Sequence, residues 1–81
     1  MRAQRASENQ MAQTIRAEMV ASVHSIIMAQ GDSVVVGDTL AILESMKMEI
    51  PVLAEENGTI SEISVAVGDV VREGDIIAII I

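Results

Sequence analysis

The chain has 81 residues, which is one small domain, and 51% of them are hydrophobic although Phe, Tyr and Trp are all absent. A core must therefore be assembled from Val, Ile, Leu, Met and Ala, with little surplus at this size. Lack of cysteine excludes disulfides, thiol catalysis and thiolate metal sites, and a net charge of −7 argues against nucleic acid as a partner.

Residues 1–13 open with "MRAQRASENQ", a polar stretch with no apolar period and no signal-peptide core. A disordered leader is expected there, with either Met1 or Met11 as the native start. No run in the chain approaches the roughly 20 apolar residues of a membrane span. A soluble, cytoplasmic protein is the expectation.

From Thr14 onward, Gly, Asp, Asn and Pro punctuate short segments rich in Val and Ile. The pattern predicts strands near residues 15–20, 22–29, 39–45, 48–53, 59–66 and 76–81, with short bridges near 33–35 and 70–72. Met19 and Met28 fall in strand patterns and are expected in the core. The domain is taken as residues 14–81.

An internal repeat organises these strands. "GDSVVVGDTLAI" at 31–42 aligns with "GDVVREGDIIAI" at 68–79 at a constant offset of 37, with seven identities in twelve positions. Val23 over Ile60 and Ile26 over Ile63 extend the match backward without a gap. The glycines suit turns that require positive φ, and the aspartates beside them suit bonds to nearby amides rather than metal ligation. One half exposes an apolar face that it cannot cover alone. The prediction is an all-β fold, a flattened barrel or sandwich of two four-stranded antiparallel sheets related by a pseudo-twofold. Such a fold closes its core without a partner, so a monomer is expected.

Between "LAILE" and "EIPVLA", the ends of the two halves, lies only "SMKM", which places Lys47 in a tight hairpin. Without glycine in that turn, type I is expected rather than a primed turn. Pro51 favours an edge strand. Lys47 is the only lysine, the other basic residues being Arg2, Arg5, Arg16 and Arg72. A lone lysine in a turn is ordinarily solubilising. Here Met46 and Met48 flank it, and exposed methionine suits a surface that another protein must grasp.

"ESMKMEIPV" resembles the biotin-attachment motif of biotin carboxyl carrier domains, usually Ala-Met-Lys-Met. The gapless repeat and "GTISEISVAVGDVVREGD" are similar to the same biotinyl/lipoyl family over about residues 14–81. The resemblance implies that Lys47 is the biotinylated residue, with Met46 and Met48 read by the modifying enzyme and Glu44, Ser45 and Glu49 as motif flanks. Ser45 replaces the commoner alanine, a small change. Lipoyl domains share the fold but usually carry Asp-Lys-Ala at the tip, which this chain lacks. Some carriers of acetyl-CoA carboxylase insert a protruding thumb in the first half, and the uninterrupted offset leaves no room for one.

The implied function is a biotin carrier rather than a catalyst. Biotin would be the covalent cofactor, a biotin protein ligase would attach it, and biotin carboxylase and carboxyltransferase subunits would be the working partners. His24, the only histidine, lacks the partners of a catalytic base and is expected exposed or half-buried in a strand. Glu44, Glu49, Glu55, Glu56 and Glu62 either orient a basic ligase face or merely keep sheet edges soluble. Two rival readings stay open: a lipoyl carrier of an acyl-transfer complex, and an unmodified interaction module of the same fold.

Overall fold

A computed structural model describes residues 12–81. Eight strands follow in order: β1 (Gln13–Arg16), β2 (Ala21–Ile26), β3 (Ser33–Val34), β4 (Thr39–Ser45), β5 (Met48–Leu53), β6 (Gly58–Ile63), β7 (Val70–Val71) and β8 (Ile76–Ile80). They form two four-stranded sheets, ordered β1-β8-β6-β3 and β5-β4-β2-β7, with every pairing antiparallel. Alternation along each strand turns the aliphatic residues inward, as in β4, where Leu43 is buried and Glu44 exposed.

The repeat offset maps each sheet onto the other. Adding or subtracting 37 turns β1 into β5, β8 into β4, β6 into β2 and β3 into β7. Each sheet thus takes two strands from each half, and the halves interlock rather than stack. Backbone bonds between the halves obey the same operation. Gly31 N donates to Ile60 O at 2.8 Å, and its equivalent Gly68 N to Val23 O at 2.9 Å. Ala17 N donates to Asp75 O as Ala54 N does to Asp38 O, both at 2.8 Å.

Four copies of one turn hold this lattice together. In Ala29–Asp32, the Asp32 amide donates to Ala29 O at 3.0 Å while the Ala29 amide donates to Asp32 Oδ2 at 2.9 Å. Gly31, third in the turn, has φ 93, the signature of type II. Asp38, Asp69 and Asp75 repeat both bonds in their own turns. All four carboxylates thus serve as turn formers, as the sequence predicts. The β2–β3 and β6–β7 connections have the same length, and neither carries an insertion.

The core lies between the sheets. Leu40 and its equivalent Ile77 are almost wholly buried, together with Val23, Ile60 and Ile80. No polar or charged residue is buried with them among the described residues. Met28 packs against this core from a half-buried position. Met19 departs from expectation: β1 stops at Arg16, because Ala17 bonds to the turn at Gly74–Asp75, and Met19 in the following loop is 41% exposed. The leader expected at residues 1–13 lies largely outside the described residues, and β1 already begins at Gln13.

Candidate functional site

The β4–β5 hairpin carries the candidate site at its tip. Its register runs Leu43↔Ile50, Glu44↔Glu49 and Ser45↔Met48, leaving Met46 and Lys47 as a two-residue loop. Met46 has φ 54 and Lys47 φ 65. Positive φ at both central residues is the signature of a type I′ turn, so the expected type I geometry is not what forms. The reason is twist. A two-residue loop must match the right-handed twist of its flanking strands, and the seven-residue β4 and six-residue β5, registered to their last pair, impose that demand. Two side-chain-bearing residues are thereby held in the left-handed region, at a cost on the order of 1–2 kcal/mol each.

This backbone fixes where the side chains go. Met46 is 91% exposed and Met48 64% exposed, and Lys47 is exposed between them. Ser45 is half-buried at the last strand pair, while Glu44 and Glu49 are exposed and stand directly opposite each other. Facing like charges are unfavourable in a cross-strand pair. A cation on the adjacent strand offsets them when protonated: His24 Nε2 lies 3.5 Å from Glu49 Oε2. His24 sits at an irregularity in the β2–β4 ladder, half-exposed as expected. Pro51 pairs with Ile42 in β5, which is an edge strand as the proline required.

The sequence-predicted residues therefore meet at one pole. Lys47, Met46, Met48, Ser45, Glu44 and Glu49 occupy the last three rungs and loop of one hairpin. Glu55 and Glu62 do not join them. Glu55 accepts from Gln13 Nε2 at 3.4 Å, and Glu62 from Ser64 Oγ at 3.2 Å, both away from the tip. Sequence reasoning missed His24 as a neighbour of the motif, since only the β2–β4–β5 order brings it near Glu49.

Chemically, the tip offers one primary amine on a flexible stem, presented to solvent between soft apolar side chains. Such an amine suits covalent attachment of a carboxylic acid as an amide. The long arm that results would swing from a pole with no overhanging element.

Comparison with known proteins agrees with this chemistry. A family model described as biotin-requiring enzyme matches residues 10–80. The biotinylated protein TB7.3 homolog of Mycobacterium leprae is 56% identical over 86% of this chain and 99% of its own length. The biotin/lipoyl attachment protein of Bacillus subtilis is 39% identical over 79% of this chain and 88% of its own. Among solved structures, Kluyveromyces lactis urea carboxylase superposes with a TM-score of 0.82 and 34% identity, covering 86% of this chain and 6% of that enzyme's. With the fold, the exposed lysine hairpin and these likenesses together, the chain belongs to the biotin/lipoyl attachment family and is a biotin carrier domain.

Proposed function

We propose that Lys47 is the attachment point and that the domain itself catalyses nothing. The single observation that carries this reading is the exposed amine of the only lysine on a strained two-residue turn between Met46 and Met48. A biotin protein ligase would present biotin as its acyl-adenylate. The Lys47 amine, in its neutral form, attacks the acyl carbon, the new C–N bond forms, AMP leaves with the C–O bonding pair, and the amine sheds a proton. The resulting amide is uncharged, so the arm acquires no fixed ion-pair partner.

In this reading the carried biotin supplies carboxyl transfer when bound. This chain's residues only tether and present it. A biotin carboxylase would load the carboxylate and a carboxyltransferase would receive it. The alpha3 subunit of a biotin-dependent acyl-CoA carboxylase from Mycobacterium leprae, 36% identical over 79% of this chain, supports a partner of that class. Tethering holds the cofactor at an effective concentration on the order of millimolar. The sandwich closes its own core, which supports a monomer that works in the cytoplasm with such subunits.

The test is intact mass after co-expression with a biotin ligase and a lipoate ligase. One added biotinyl group is expected, and its loss in Lys47→Arg with an unchanged circular dichroism spectrum. A lipoyl adduct, or biotin retained on Lys47→Arg, would overturn the assignment.

A further inference from the structure

The duplicated fold contains its own control surface. Edge strands β1 and β5 exchange under the pseudo-twofold, and a cleft of about 530 Å³ opens between them. At its centre the equivalents Ile15 and Val52, and Ala17 and Ala54, line it in pairs. Beyond the centre it runs in one direction only, along Val36, Leu43, Ile50 and Pro51. Leu43 and Ile50 pair in the hairpin two rungs from Ser45↔Met48, so this is the arm that leads toward Lys47.

The two arms have equivalent backbones and opposite chemistry. Val36 on the tip side, 63% exposed, corresponds to Glu73 on the other side. Leu53, 44% exposed, corresponds to Arg16, whose Nη1 donates to Gly74 O at 2.8 Å. Pro51 corresponds to Thr14, and Met19 to Glu56. The far arm shows that the fold accepts charged and polar residues at these positions. Burial in the domain therefore does not explain the exposed aliphatic side chains on the near arm, and contiguous apolar surface of this kind marks contact with another molecule.

We infer that the near arm of this cleft is a docking surface for the biotin protein ligase, which seats there an apolar side chain flanked by lysine or arginine. The inference rests on the reading of Lys47 as the attachment point. Two observations select the occupant. The apolar arm lies on the side of the hairpin that the ligase must engage, and the far arm, leading away from Lys47, is polar. Glu18 and Glu55 also line the cleft, and the chain carries a net charge of −7, so the groove complements a basic segment and disfavours a second copy of this chain.

The experiment is steady-state biotinylation of the full chain by a purified biotin protein ligase with ATP and biotin. The label is read as biotinyl mass on the peptide that contains Lys47. Val36→Glu with Leu53→Arg gives the near arm the residues of the far arm without changing net charge. For this pair KM is expected to rise about tenfold with kcat retained, the effect of truncating a hot-spot contact. Glu18→Gln with Glu55→Gln is expected to raise KM less and to flatten its dependence on salt. Glu73→Gln, on the far arm, leaves KM unchanged. Thermal melts confirm that each variant is folded. An unchanged KM for Val36→Glu with Leu53→Arg, with label still on Lys47, overturns the docking surface alone. Absence of label on the Lys47 peptide of the unaltered chain overturns the attachment reading instead.

Discussion

Lys47 and Met46 both occupy the left-handed region of backbone space, where asparagine and glycine are at ease and a long side chain is not. A turn optimised for stability would read Asn-Gly. The tip gives up that stability to carry an amine and a thioether where an enzyme must reach them, the usual location of backbone strain. Met46→Asn should therefore raise stability by about 0.5–1 kcal/mol and the melting temperature by several degrees in a domain of this size. The same substitution removes a side chain that is 91% exposed. Ligase labelling is expected to slow while the melt improves, a divergence that scanning calorimetry and initial labelling rates would reveal together. A variant that loses both would mean that Met46 supports the fold rather than its recognition.

Among the strands, the tightest constraint falls on Gly58 at the start of β6. A Cβ there would meet Ile80 Cγ2 and the Ile81 carbonyl oxygen, each at 2.6 Å. One contact is a side chain and the other is backbone held by the Thr59–Ile81 hydrogen bonds at 2.8 Å, so neither yields easily. Gly58→Ala is expected to cost roughly 1–3 kcal/mol, visible as a lower urea midpoint at constant m-value. The strands themselves were legible because alternation of Val and Ile with polar residues sets the face, and Gly-Asp pairs set the ends. β4, β5 and β8 fall within a residue of the expected bounds. Expectation failed at β1, where the apolar character of Met19 and Val20 suggested a longer strand than Ala17's bonds to the Gly74–Asp75 turn permit. It failed again at the loop of the lysine hairpin, because residue type favours type I there and strand twist, a property of the paired sheet, overrides it. The cleft between β1 and β5 was illegible for the same reason, since its walls join only when both edges are in place.

At the scale of the whole molecule, interlocking makes the two halves energetically equivalent. Leu40 and Ile77 occupy symmetry-related places at 0% and 1% exposure. Truncating either to alanine should cost about 2–5 kcal/mol. Chemical denaturation is expected to show similar losses for Leu40→Ala and Ile77→Ala, within one cooperative transition. A second transition in either variant would mean that the halves unfold separately. Such a loss is a large part of what a domain of this size possesses, since net stabilities are typically about 5–15 kcal/mol.

The pairing of β1 with β8 is the symmetry mate of the lysine hairpin: Gln13↔Ile80 stands for Ile50↔Leu43, and Ile15↔Ala78 for Val52↔Ala41. The ends of the described chain consequently lie side by side at one pole while Lys47 occupies the other. Any polypeptide continuing from either end would leave as though from the handle of a spoon, with the bowl unobstructed. This geometry lets the same fold serve as 6% of a urea carboxylase chain without its prosthetic arm being crowded by the enzyme to which it is fused.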